Sequence, residues 1–132
     1  MAAYVWIALG SALGGMARYW TAGWVGVYFG EAFPWGTLTV NVVGSFVIGL
    51  VATLTSPDGR LFAGDDIRQF ILIGICGGYT TFSTFSIQTL ELLRNGELYR
   101  ASAYIVGSVL LCVVAVGLGH ALAAGINQFK GS

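Results

Sequence analysis

Charge is nearly missing from this chain. Of its 132 residues only 9% are Asp, Glu, Lys or Arg, where a soluble domain carries about 25%, and 56% are apolar. That balance excludes a soluble globular domain. Histidine occurs once, at His120, and cysteine twice, at Cys76 and Cys112, with no CxxC pair, so neither a disulfide framework nor a metal-spaced cluster can be assembled. The two thiols read as small packing residues, and His120 as a polar residue near a membrane interface. No nucleophile and base stand in a pattern that would make an enzyme. The formal charge is +0, and no nucleic acid is expected among the partners.

What is present is apolar length. Four stretches, about 4–29, 35–55, 70–93 and 99–124, each reach or exceed the roughly 20 residues that span a hydrocarbon core of about 30 Å. A lone segment in lipid must pair its own backbone groups, so each is expected to be a helix. The joints fit that count: Gly30-Glu31-Ala32-Phe33-Pro34, then Ser56-Pro57-Asp58-Gly59-Arg60 with Asp65-Asp66, then Arg94-Asn95-Gly96-Glu97 all carry turn or helix-stop residues. Trp6, Trp20, Trp24, Trp35, Phe70 and Tyr99 cluster toward segment ends, as an interfacial aromatic belt would. The first stretch lacks a basic leader and a clear cleavage site, so it is read as a retained helix. The expected fold is a single all-α membrane domain of four transmembrane helices in a lipid bilayer.

The few charges give little instruction on orientation. With both termini on one side, Arg60, Arg68 and Lys130 fall there, against Arg18, Arg94 and Arg100 toward the other. Lys and Arg decide which way short loops face, so this tie leaves two readings open. Either one or two residues decide, or copies insert both ways and pair antiparallel. The second also supplies the inverted symmetry that larger transporters carry within one chain.

Acidic residues avoid the expected membrane interior. Glu31, Asp58, Asp65, Asp66, Glu91 and Glu97 all lie in joints or at span ends, with Glu91 placed to pair with Arg94. Coupled carriers usually need an intramembrane carboxylate. The innermost ionisable residue is Arg18, in Gly14-Gly15-Met16-Ala17-Arg18-Tyr19, which reads equally as a cation in a wet vestibule or as a snorkelling anchor. Polar stripes run along two spans, Thr37-Asn41-Ser45 beside Gly44 in one and Tyr104-Ser108-Cys112 in the other, at the spacing of a shared helix face. Helix packing alone accounts for either stripe singly.

The third span departs further from a plain membrane helix. Gly77-Gly78-Tyr79-Thr80-Thr81-Phe82-Ser83-Thr84-Phe85-Ser86 puts paired glycines and hydroxyls at bilayer depth, where broken backbone survives only inside protein or beside a wet cavity. A helix break is expected at Gly77-Gly78. The carbonyls of Gly77 and Thr80 would then be freed to meet a cation such as Na⁺. Phe82 and Phe85 share one face and Thr81 and Thr84 another. The rings read as core packing or, beside hydroxyl donors, as ring edges that face an anion.

The runs from Gly14 to Tyr19, Gly36 to Phe46 and Gly74 to Phe85 resemble the Fluc fluoride channel family. The resemblance implies an antiparallel, dual-topology homodimer with two pores that passes F⁻ passively out across a bacterial inner membrane and so limits fluoride toxicity. It implies that Phe82 and Phe85 line the pores, that Asn41 donates to the ion, and that Thr81, Ser83, Thr84, Tyr104 and Ser108 continue the path. It also implies Arg18 near the entrance and a structural Na⁺ where paired helix breaks meet. Cys112 departs from the hydroxyl expected to end the last stripe. A small dual-topology multidrug exporter would share the size but need a carboxylate in its first span. A structural membrane subunit would explain the glycines but not the polar broken helix.

Overall fold

The computed structural model describes residues 1–57, 59, 61 and 63–131, the side chains of the last two excepted. Asp58 and Arg60, and the side chain of Lys130, therefore lie outside the described residues. All regular structure among these residues is helical: α1 (Ala2–Phe29), α2 (Trp35–Leu54), α3 (residues 65–79), α4 (Phe82–Arg94) and α5 (Leu98–Gly131). α3 starts at Asp65, winds as a wide π-helix over Phe70–Cys76 and closes with Gly77–Tyr79. α5 continues well past the end expected near residue 124.

Three stretches combine the length and the apolarity to cross a membrane: Trp35–Leu54, Asp65–Arg94 taken across its break, and Leu98–Phe129. α1 has the length at 28 residues. Its glycines, tryptophans, tyrosines and Arg18 make it less apolar than the other three.

Small residues let the helix backbones touch, which matters where lipid offers no hydrophobic drive between helices. Gly10 and Gly14 of α1 face Gly74 and Gly78 of α3, so two Gly-xxx-Gly faces cross. A side chain at Gly14 would run into the Ile75 carbonyl, and one at Gly78 into the backbone of Ser11. Gly49 of α2 and Gly119 of α5 make a similar approach, against Val116 and Phe46. Between α2, α4 and α5 sits a small core of Leu38, Leu92, Ala101 and Tyr104, flanked by Phe33, Val42 and Phe85.

The joints close as their residues require. Gly30 and Gly96 take φ of 79° and 76°, the left-handed region that glycine enters without a Cβ penalty. Beyond α2, Arg68 donates to Thr55 Oγ1 at 3.0 Å, His120 Nδ1 pairs with Thr53 Oγ1 at 2.8 Å, and Asn127 Nδ2 donates to the Thr53 carbonyl at 3.2 Å. The expected Glu91–Arg94 pair is not formed. The ion pair at that end is Glu97–Arg100, at 2.7 Å, where the turn at Gly96 brings a new helix start under Arg100.

The third span is broken, but not at its glycines. Gly77 is helical, with φ −64° and ψ −38°, and the chain leaves the helix at Thr80 (φ −84°, ψ 158°) and Thr81 (φ −152°, ψ 117°). Gly78 instead serves the close approach to α1.

Candidate functional site

The break is held open by Asn41. Its side-chain amide lies along the backbone of Thr81, with Nδ2 donating to the Thr81 carbonyl at 3.1 Å and Oδ1 accepting the Thr81 N–H at 2.8 Å. In an unbroken helix that N–H would go to the carbonyl of Gly77, four residues back. Asn41 intercepts it, and no hydrogen bond among the described residues reaches the Gly77 or Thr80 carbonyl oxygen. Gly44, one turn further along α2, leaves room for the break, because a side chain there would strike the Thr80 methyl.

Each side of the break is then finished by other groups. Thr80 donates both its N–H and its hydroxyl to the Cys76 carbonyl, each at 3.0 Å, and Arg18 Nε donates to the Gly78 carbonyl at 3.2 Å. A cation at a helix carboxyl end is well placed against the helix dipole. On the other side Thr81 caps α4, its Oγ1 accepting the Thr84 N–H at 3.1 Å and donating to Thr84 Oγ1 at 3.0 Å. The remaining N–H groups of the first turn of α4 have no intrahelical partner and carry the positive end of its dipole.

Two cavities flank these elements. A vestibule of about 750 Å³ is lined by Arg18, Thr37, Thr81, Thr84, Gln88 and Arg100, with Glu31, Glu91 and Glu97 also on its walls. A groove of about 340 Å³ runs between α2, the break and α5, and Asn41, Ser45, Thr80, Phe82, Phe85 and Ser108 line it. Thr81 borders both. No acidic side chain among the described residues lines the groove.

Most of the residues singled out in the sequence meet here. Asn41, Thr81, Phe82, Phe85 and Ser108 border the groove, with Gly77 and Thr80 beside them, while Arg18 and Thr84 border the vestibule. Arg18 lines the vestibule and bonds to the Gly78 carbonyl. Phe82 and Phe85 stack with centroids 5.4 Å apart, but Phe82 is 69% exposed whereas Phe85 packs on Tyr104 at 4.9 Å. Ser108 is 7% exposed and its Oγ has no partner among the described residues.

Two expected path residues stand back from both cavities. Tyr104 is fully buried, its hydroxyl donating to Gln88 Oε1 at 2.8 Å, and Ser83 points outward with its Oγ 3.4 Å from Thr81 Oγ1. Gln88 itself went unread in the sequence. Its signal was its place three and seven residues after Phe85 and Thr81, on the face shared with Thr84. The Tyr104 hydroxyl holds the Gln88 carbonyl oxygen, which leaves the NH₂ group of this vestibule-lining residue as a donor.

Residues 5–120 match the family described as CrcB-like protein, Camphor Resistance (CrcB). The chain is 56% identical over 132 residues to the fluoride-specific ion channel FluC of Opitutus terrae, covering 100% of both chains. It is 54% identical over 129 residues to the protein of that name in Methylocella silvestris, covering 98% of each. With the one in Rhodospirillum rubrum it shares 52% identity over 125 residues, 95% of this chain and 97% of the other.

Proposed function

The chain belongs to the CrcB-like family, and from that premise we propose that it is a fluoride-selective passive channel, releasing F⁻ across a bacterial inner membrane and so lowering fluoride inside the cell. The observation that carries this reading is the groove in which Asn41, Ser108, Phe82 and Phe85 meet beside a broken helix with no carboxylate on its walls. A coupled carrier or a small multidrug exporter would need an acidic group within the membrane, whereas the glutamates on the vestibule walls lie in joints or at span ends.

The mechanism follows from which donors are left over. Arg18 places a positive charge beside the break end of the vestibule, where it attracts an anion locally, although the acidic residues on the outer walls leave the vestibule as a whole no net positive charge. The Thr84 hydroxyl and the Gln88 amide replace part of the ion's water. At the groove Asn41 still has one N–H beyond its bond to Thr81, Ser108 has an unpartnered hydroxyl, and the first turn of α4 presents free N–H groups. The edges of Phe82 and Phe85 carry the positive part of the ring quadrupole. None of these is a full charge, so the ion is held without being trapped. Thr81 acts here as a cap, Ser83 as its neighbour, and Tyr104 as the backing for Phe85 and Gln88.

A second, inverted copy completes the channel, giving an antiparallel homodimer with two pores. The tied count of basic residues supports it, as does the 69% exposure of Phe82 in one chain. α1 serves as the fourth span, since 28 residues make a helix of about 42 Å. The carbonyls of Gly77 and Thr80, stripped of helical partners by the Asn41 clamp and by the Thr81 cap, fit a structural Na⁺, which takes oxygen ligands of this kind. Bound there, Na⁺ would offset the carbonyl dipoles converging from two helix breaks.

Purified protein in liposomes is expected to release F⁻ rapidly and Cl⁻ hardly at all in an electrode assay. Equal release of both halides, or of neither, removes the reading. The same assay in Na⁺-free organic-cation buffer is expected to show slower release; an unchanged rate would count against the Na⁺ site. Labelling of a cysteine added at the amino terminus is expected from both sides of the membrane. Labelling from one side only would end dual topology.

A further inference from the structure

We propose that Cys112 is a modification site inside the groove, where a small, water-soluble, thiol-specific reagent attaches and stops conduction. The proposal rests on the groove being the fluoride path. Cys112 lies one turn beyond Ser108 on α5, and both line the same groove as Asn41, Phe82 and Phe85.

The second observation is Ser108. A hydroxyl that is 93% shielded, as its 7% exposure implies, and has no protein partner carries a desolvation cost unless something polar reaches it. Whatever satisfies it must come through the groove it lines. Water or an ion entering the groove beside the Cys112 thiol would supply that partner.

The chain carries its own control. Cys76 also borders the groove but is buried at 3% exposure, whereas Cys112 is half-buried, and both are free thiols. A solute arriving by water meets Cys112 first. With 2-(trimethylammonium)ethyl methanethiosulfonate, the Cys112 thiolate attacks the sulfenyl sulfur, a new S–S bond forms, the S–SO₂ bond breaks, and methanesulfinate leaves with the electron pair. The thiol proton goes to buffer. The adduct adds bulk and a fixed positive charge to a cavity of about 340 Å³. Such a charge holds an anion rather than passing it.

The experiment uses full-length protein in liposomes, with fluoride release measured before and after the reagent and labelling sites read by peptide mass. The expected result is labelling at Cys112 but not Cys76, release reduced to that of protein-free vesicles, and recovery on adding dithiothreitol. Cys112→Ser protein should release fluoride equally with and without the reagent, and Cys76→Ser should stay sensitive. Labelling at Cys112 with release untouched overturns the proposal. So does a Cys112 that reacts only after denaturation. If untreated protein releases no fluoride, the channel reading fails and the block fails with it, a result distinct from both.

Discussion

Asn41→Asp is expected to insert, fold and assemble, and to pass no fluoride. The exchange keeps the oxygen that accepts the Thr81 N–H at 2.8 Å and removes the nitrogen that donates to the Thr81 carbonyl at 3.1 Å. Half of the clamp survives, so the break at Thr80-Thr81 should persist. What changes is the sign of the groove. An anion passing within about 4 Å of a carboxylate meets repulsion of about 4 kcal/mol at an effective dielectric near 20, roughly a thousandfold in occupancy. The aspartate itself costs about 2.5–3.5 kcal/mol to place at the centre of a membrane helix on insertion scales, and less where it lines a wet groove.

Asn41→Ala separates charge from clamp. It leaves the Thr81 carbonyl unpaired, at about 1–3 kcal/mol, and releases the Thr81 N–H to rejoin the Gly77 carbonyl and straighten the span. Its release of fluoride and its unfolding midpoint should both fall; Asn41→Asp loses the same donor to the Thr81 carbonyl and should lower the midpoint too, but only the added charge should abolish release. Electrode efflux with thermal unfolding in detergent reads both. Parental efflux from Asn41→Asp would show that the ion does not pass this amide.

The class of fold was legible because membrane spans announce themselves by length and apolarity, and the joints at Gly30 and Gly96 by the turns that only glycine enters freely. The break was legible in existence but not in place. Glycines weaken a helix, yet here they lie where two backbones touch, and only the position of Asn41 on another helix decides which amide is drawn out. The crossing of Gly10 and Gly14 with Gly74 and Gly78 carries a sequence signature, a pair of small residues four apart on each helix. The stripes on α2 and α5 did point at a common site. Which member faces the groove was not in the spacing: Tyr104 and Ser108 share a helix face, but a ring as long as that of Tyr104 is absorbed by the core of Leu38 and Leu92, while the short Ser108 is left at the groove wall.

Phe82→Ile and Phe85→Ile are expected to cut fluoride release to a small fraction of the parental rate, and to differ in what else they cost. An isoleucine keeps an apolar wall but has no quadrupole, so it offers the anion no positive edge. Phe82 is 69% exposed in one chain and stacks on Phe85, at 5.4 Å between centroids, so its loss should cost the fold of the protomer itself less than the loss of Phe85. Phe85 also packs on Tyr104 at 4.9 Å, and an aromatic pair of that kind is worth about 0.5–1.5 kcal/mol beyond its area, so Phe85→Ile should lower the midpoint as well. Tyr104 would then lose the ring that backs it, loosening its hold on Gln88 and the vestibule floor. Efflux assays beside thermal unfolding distinguish the two effects. Parental release rates from both variants would make the rings packing groups only, and the path would have to rest on Asn41, Ser108 and the amino end of α4 alone.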